Sequence, residues 1–280
     1  MDKSIISIFY FSGTGNTWWV SERLSEELNK LGFRASAYSI EQVTDKETAA
    51  LIQKSSIIGL GFPIYGSDAP RIFHDFISRL PYLEKEKPIV GFVTQMAWSG
   101  DGMNFLEKEL SEKGYRIRWA SEFIMPNNIA VPIFPLPYVS DYNKFIPQLE
   151  KRRQQISDLC VKIANDEPYR QNSGRLAAAS AWIQRGPFRL VHDWGRKFWS
   201  VDEGACNSCN ICASLCPVGN IEMQHGLPVY SDQCVYCMRC FNYCSAYAIH
   251  YMGMKNTRLE KTRPFQGPTA DFRPEMLIKK

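Results

Sequence analysis

Cys206-Asn-Ser-Cys209-Asn-Ile-Cys212-Ala-Ser-Leu-Cys216-Pro217 and Cys234-Val-Tyr-Cys237-Met-Arg-Cys240-Phe-Asn-Tyr-Cys244 hold eight of the nine cysteines of this 280-residue chain. Each run has the spacing C-x2-C-x2-C-x3-C, which suits a [4Fe–4S] cubane. Three thiolates at two-residue gaps let a tight loop wrap three iron corners, and the fourth starts a helix that leads away. The eight positions repeat at an offset of 28 residues, as does an isoleucine after each run, Ile221 and Ile249. The stretch reads as a duplicated half with pseudo-twofold symmetry. Zinc sites usually separate two C-x2-C knuckles by a longer loop, and these runs fit them poorly. A disulfide framework does not explain cysteines confined to one segment of a chain without a secretory signal.

The length allows one or two domains, each with its own core. A hydrophobic fraction of 45% is that of a folded globular chain. The net charge of +4 is unevenly spread. Residues 170–199 carry Arg170, Arg175, Arg185, Arg189, Arg196 and Lys197 against Asp193 alone, a net of +5, so the remainder stands at −1. That footprint is too small to indicate nucleic-acid binding. The apolar N-terminal run ends at a glycine loop and lacks a signal peptide's basic flank and cleavage site. No apolar stretch approaches the roughly 18 to 20 residues that span a bilayer. The expected location is a reducing cytoplasm, where oxygen-sensitive clusters survive.

Upstream, Ser4 to Phe11 is a continuous β-favouring run, as in a strand buried on both faces of a parallel sheet. Ser12, Gly13, Thr14, Gly15, Asn16 and Thr17 follow, and then Val20, Leu24, Leu28 and Leu31 at helical spacing. Strand, small-residue loop and helix together make a phosphate cradle, with N–H groups and hydroxyls turned inward and the helix N-terminus adding positive potential. Trp18 stands where a dinucleotide fingerprint needs its third glycine, and no P-loop lysine is present. Hydroxyls at Ser12, Thr14 and Thr17 suit a single phosphate monoester instead. Here the residues resemble the FMN phosphate loop of flavodoxins.

The alternation continues with strands over 33–39, 55–61, 88–94 and 115–123, and helices over 45–54, 70–80, 101–113 and about 142–165. Five strands alternating with helices give an α/β, doubly wound parallel sheet, and the flavodoxin resemblance implies the order 2-1-3-4-5. Ligands in such sheets sit outside the carboxyl ends of the strands. The loop after strand three offers Pro63, Ile64, Tyr65 and Gly66; the loop after strand four offers Thr94, Gln95, Met96, Trp98, Ser99, Gly100 and Asp101. These are the expected flavin contacts, with Tyr65 and Trp98 read as ring neighbours rather than plain core aromatics. Met125-Pro-Asn-Asn128 follows strand five. Trp18 and Trp19 read as helix packing, and Cys160 as a small buried apolar residue.

Residues 169–201 form a basic, aromatic connector that Gly186-Pro187 should break into two helices. Such a segment can lie on a membrane surface or dock an acidic partner; the preferred reading is that it packs one unit on the other. No histidine falls at a metal-ligand spacing. The tail, 253–280, reads as an extended polar arm.

The whole chain resembles prokaryotic fusions of an N-terminal flavodoxin-like FMN domain with a C-terminal bacterial-type ferredoxin. The likeness rests on Ser12 to Thr17, Pro63 to Gly66, Ser99 to Asp101, the eight cysteines and Pro217-Val-Gly-Asn-Ile221. It implies a flavodoxin-like domain over 1–168, a small α+β two-cluster ferredoxin domain over 202–252, and FMN plus two [4Fe–4S] clusters as cofactors. In two-cluster ferredoxins the fourth cysteine of each run ligates the other cluster. One cluster would then take Cys206, Cys209, Cys212 and Cys244, and the other Cys234, Cys237, Cys240 and Cys216. Ser245 replaces the proline that follows the second run in that family. The implied role is electron transfer between FMN and the clusters, with an external redox protein as partner. An FMN-dependent reductase acting on a small molecule and a non-catalytic redox sensor are the alternatives, so whether the chain is an enzyme stays open.

Overall fold

The computed structural model describes residues 4–128, 145–253 and 265–278. In chain order the regular elements are β1 (Ile5–Tyr10), α1 (Asn16–Lys30), β2 (Arg34–Ser39), α2 (Asp45–Lys54), β3 (Ile57–Pro63), α3 (Arg71–Arg79), β4 (Lys87–Gln95), α4 (Glu107–Glu112), β5 (Tyr115–Ile124), α5 (Ile146–Ala164), β6 (Tyr169–Arg170), α6 (Arg175–Gly195), β7 (Trp199–Val201), α7 (Ile211–Ser214), β8 (Ile221–Gln224), β9 (Leu227–Tyr230), α8 (Arg239–Asn242) and β10 (Ile249–Tyr251).

The first sheet is parallel throughout, in the order β2-β1-β3-β4-β5-β6. Its first five strands follow the order expected from the sequence. β1 and β3 are apolar along nearly their whole length because both faces are covered. On one face Trp19, Leu24 and Leu28 of α1 meet Ile156, Leu159 and Cys160 of α5. On the other, Phe73, Phe76 and Ile77 of α3 pack with Leu110 of α4. Leu24 and Leu28 are fully buried, and each stabilises the fold by roughly 1.5–3 kcal/mol. Thr44 caps α2 reciprocally with Glu47, a capping box that ends the preceding turn.

The small unit repeats itself. α7 and α8 lie 28 residues apart, as do β8 and β10. The backbone repeats too: Ser208 and Tyr236, Asn210 and Met238, and Gly219 and Tyr247 all adopt positive φ at that offset. Left-handed backbone at tyrosine and methionine is strained and persists where surroundings impose it. β7 pairs with β10 and β8 with β9, both antiparallel. One apolar core crosses between the units, since Val235 and Cys237 belong to the cluster that contains Phe62 and Phe73.

Four features depart from the sequence reading. The first sheet gains β6, two residues past the expected boundary at 168, and β7 brings 199–201 into the small unit ahead of 202. α6 runs unbroken through Gly186 and Pro187. It is pinned on both sides of the break: Arg185 donates to the Ser67 carbonyl at 2.8 Å and to Asp101 at 2.6 Å, and Arg189 to Asp68 at 2.7 Å. Those tertiary bonds help hold the helix across a proline that costs roughly 3 kcal/mol in a helix interior. The described part of the tail is packed rather than extended, with Phe265, Phe272 and Leu277 buried. Phe272 lies against Trp18, with ring centroids 5.2 Å apart. The expected start of α5 near 142 and the tail between 254 and 264 fall outside the described residues.

Candidate functional site

The eight cysteines surround two cavities of the small unit. Cys206, Cys209, Cys212 and Cys244 line one. Cys216, Cys234, Cys237 and Cys240 line the other, and Cys212 lines it too. The fourth cysteine of each run thus stands with the first three of the other. Among the described residues no three His, Cys, Asp or Glu side chains converge on a single ion; the thiols ring a volume instead.

Backbone N–H groups already point at sulfur in both halves. Asn220 N–H donates to Cys216 Sγ at 3.1 Å and Ala248 N–H to Cys244 Sγ at 3.3 Å, again 28 residues apart. Burial pushes the Cys212 thiol up to about 11 and Cys237 to about 12. Deprotonated thiolate ligands therefore need the charge of bound iron to offset that burial. Two further donors sit in the wall of the second cavity. Trp199 Nε1 and Tyr230 OH are buried and have no hydrogen-bond partner. Trp199 faces the Cys234 thiol and Tyr230 the Cys240 thiol. Unpaired buried donors are costly, and a cubane with acceptor sulfurs fits the space between them.

The loop from Ser12 to Thr17 stands where the sequence places it, between β1 and α1. Gly15 takes φ 101°, which turns the chain into α1 and which a side chain would strain. Gly15 N–H donates to Ser12 Oγ at 3.1 Å, and Thr17 Oγ1 meets Thr94 Oγ1 at 2.8 Å. Thr14 Oγ1 accepts from Asn128 Nδ2. Ser12 and Thr14 therefore act as acceptors, and among the described residues their own hydroxyl protons meet no protein acceptor. With the α1 N-terminus beside them, these groups fit a phosphate monoester.

The expected ring contacts are arranged differently. Tyr65 is buried, and its OH lies 2.7 Å from where a Cβ on Gly13 would stand. Trp98 is 51% exposed and its Nε1 donates to Ser180 Oγ of α6 at 3.3 Å. Ser99 and Gln95 donate to buried Glu122, at 2.6 and 2.8 Å. Asp101 pairs with Arg185, and its pKa is raised by burial against that ion pair. Pro63, Ile64 and Met96 make no polar side-chain contact. α6 crosses from one loop to the other: a Cβ on Gly66 would lie 1.9 Å from the Phe188 ring, and one on Gly100 2.5 Å from Ala181 Cβ. The Ser12 to Thr17 loop is formed as the sequence places it, and the crevice between the loops after β3 and β4 is spanned by α6.

Reading the sequence missed the residues that join the two sites. Arg239, between Cys237 and Cys240, is 1% exposed and uses all its donors. They go to the Ser12, Gly13 and Leu215 carbonyls and, through both oxygens, to Glu41. Cys237 O lies 2.8 Å from a Cβ position on Gly13, so the second cysteine loop rests on the phosphate loop. The one available signal is an arginine inside a ligand loop, which has to find an anion once buried.

A 4Fe-4S binding domain model matches residues 199–222, which contain the first cysteine run. A parallel sheet with flavodoxin-like strand order is thus followed, in one chain, by a segment similar to 4Fe-4S binding domains. Over 199 residues the chain is 21% identical to putative diflavin flavoprotein A 6 of Nostoc sp., covering 65% of this chain and 34% of that protein. It is 24% identical over 112 residues to putative diflavin flavoprotein A 2 of Thermosynechococcus vestitus, covering 40% of this chain and 19% of that one. The chain thus spans about a third or less of these curated relatives. The two-electron reduced flavodoxin of Megasphaera elsdenii aligns with a TM-score of 0.39 at 19% identity, over 56% of this chain and 98% of that one. Rubredoxin oxygen:oxidoreductase of Desulfovibrio gigas aligns at 0.42 and 13%, over 60% and 36%. Among the described residues no helix is long and apolar enough to cross a membrane.

Proposed function

We propose that this chain carries electrons between a bound FMN and two [4Fe–4S] clusters, and exchanges them with an external redox protein. The observation that carries this reading is the contact of the second cysteine loop with the phosphate loop, Cys237 on Gly13. When bound, FMN can hold one or two electrons and a cubane one at a time, so the pair converts between one- and two-electron chemistry.

In this reading Cys206, Cys209, Cys212 and Cys244 hold one cluster, and Cys216, Cys234, Cys237 and Cys240 the other. Ser12, Thr14, Thr17 and the first turn of α1 hold the FMN phosphate. Tyr65, Gly66 and Trp98 to Asp101 stand at the ring end of the site, beside the crevice that α6 spans. The Asn220 and Ala248 N–H groups orient Cys216 and Cys244. The buried core shared by the two units keeps the cofactors at fixed separation.

The test is anaerobic purification followed by iron, sulfide and flavin analysis, then stepwise reduction. About eight irons and one FMN per chain are expected, with flavin bleaching that follows cluster reduction in time. Clusters that reduce while the flavin band stays unchanged would sink the reading.

A further inference from the structure

Three consecutive peptides of the phosphate loop are gripped by the iron–sulfur unit. Arg239 donates to the Ser12 carbonyl through Nη2 at 2.8 Å and to the Gly13 carbonyl through Nε at 2.9 Å. The Tyr243 hydroxyl donates to the Thr14 carbonyl at 2.9 Å. In a trans peptide the N–H points opposite to its carbonyl, and the described residues contain no cis bond. The N–H groups of Gly13, Thr14 and Gly15 are therefore turned away from the iron–sulfur unit. Gly15 N–H is taken by Ser12 Oγ. Those of Gly13 and Thr14 meet no acceptor among the described residues and remain for a ligand.

A third link reaches the same loop. Asn242 Nδ2 donates to the Asn128 carbonyl at 3.0 Å, and Asn128 Nδ2 donates to Thr14 Oγ1. Arg239, Asn242 and Tyr243 are all on or next to α8, inside the second cysteine run. Arg239 lies between Cys237 and Cys240, and it also holds the carbonyl of Leu215, the neighbour of Cys216. Three of the four thiols around the second cavity thus frame the arginine that orients the phosphate loop.

We propose that Arg239 and Tyr243 are positioning residues through which the second cluster sets the affinity of the phosphate loop for FMN. This rests on the reading of the two sites given above. A chain with that cluster assembled holds α8 in place, and the loop peptides with it. A chain lacking the cluster holds α8 by its protein contacts alone, fixes the loop peptides less firmly and binds FMN more weakly. Coupling of binding energies is reciprocal, so FMN protects the second cluster against loss by the same factor.

The experiment removes FMN from anaerobically prepared protein, confirms iron content, and titrates FMN back by fluorescence quenching. Tyr243→Phe deletes one hydroxyl and keeps the ring against Phe272. It should weaken FMN about fivefold, the worth of one hydrogen bond. Arg239→Lys, which cannot serve both carbonyls and Glu41 in the same geometry, should weaken it by about thirtyfold or more. Cys234→Ser, with the second cluster missing, should also weaken it, and added FMN should slow chelator-driven iron loss from the wild type. Equal FMN affinity, within twofold, in the wild type, Tyr243→Phe and the cluster-deficient protein would overturn the proposal. Should Arg239→Lys lose iron, Tyr243→Phe decides alone. A wild type that holds iron but binds no FMN at all would reject the flavin reading itself, and this coupling with it.

Discussion

Arg239 and Glu41 form a bidentate ion pair between the two units, with Nη2–Oε1 at 2.5 Å and Nη1–Oε2 at 2.9 Å. Their side chains are 1% and 9% exposed. Burial alone would lower the arginine's pKa, but the carboxylate and its hydrogen bonds reverse this and raise it overall. Removing one partner of such a pair leaves an uncompensated buried charge, at a cost of about 3–5 kcal/mol. Glu41→Ala is therefore expected to lower the melting midpoint of the iron-loaded protein by about 6–15 °C. A midpoint within two or three degrees of wild type would mean that water reaches the guanidinium.

The crossed arrangement of thiols gives the second prediction. Cys216 belongs to the first run but lines the cavity of Cys234, Cys237 and Cys240. Cys216→Ser should chiefly damage that cluster and spare the one at Cys206, Cys209, Cys212 and Cys244. Low-temperature EPR of the reduced protein, compared with Cys206→Ser, reads which signal is lost. Loss of the same signal in both variants would show that each run keeps its own cluster.

How much of this was legible follows from the kind of constraint each residue obeys. The cysteine runs and the Ser12 to Thr17 loop are local patterns, and each stands in the structure where its spacing put it. The 28-residue repeat survives even in the positive φ values of Tyr236 and Met238. Arg239 was unreadable because its partners, Glu41 and the carbonyls of Ser12 and Gly13, lie about 200 residues away. α6 was misread as two helices because Gly186-Pro187 is a local stop signal, whereas its anchors Asp68 and Asp101 are distant. The tail hid its role for a similar reason: Phe272 finds Trp18 only in three dimensions.

α6 carries a pH prediction through Asp68. Burial would raise this carboxyl's pKa, but hydrogen bonds from His74 and Arg189 outweigh it, and the net shift is downward from 3.8. A depressed carboxylate contributes stability that is present above its unfolded pKa and lost as pH falls through the folded value. Protection of α6 amides in hydrogen exchange, corrected for intrinsic rates, should hold from neutral pH down to about 4 and fall below it. In Asp68→Asn the protection should be lower at neutral pH and lose that acid step. An acid step of unchanged size in the variant would assign it to another group.

The last prediction concerns the asymmetry between the two cavities. The cavity of Cys216, Cys234, Cys237 and Cys240 has Trp199 and Tyr230 in its wall, each with a buried donor that no protein atom satisfies. No tryptophan or tyrosine lines the cavity of Cys206, Cys209, Cys212 and Cys244. Hydrogen bonds to cluster or thiolate sulfur stabilise the more negative, reduced state and so raise the reduction potential. The cluster beside Trp199 and Tyr230 should accordingly be the easier of the two to reduce. Tyr230→Phe keeps the ring stacked on Trp199 and removes only the hydroxyl, whereas Trp199→Phe keeps an aromatic ring facing Tyr251 but removes the indole N–H together with part of the ring system. A bond worth about 0.5–1.5 kcal/mol corresponds to roughly 20–60 mV for a one-electron couple. Trp199→Phe is expected to lower one cluster potential by that amount and leave the other where it was, while Tyr230→Phe, whose hydroxyl also lies near Cys212 and Cys244, should lower the same potential most and the other by less. An EPR-monitored redox titration measures both potentials in one sample. Equal shifts at both clusters would point to a general change in burial, and no shift at either would mean that the two donors turn to water once the cluster is bound.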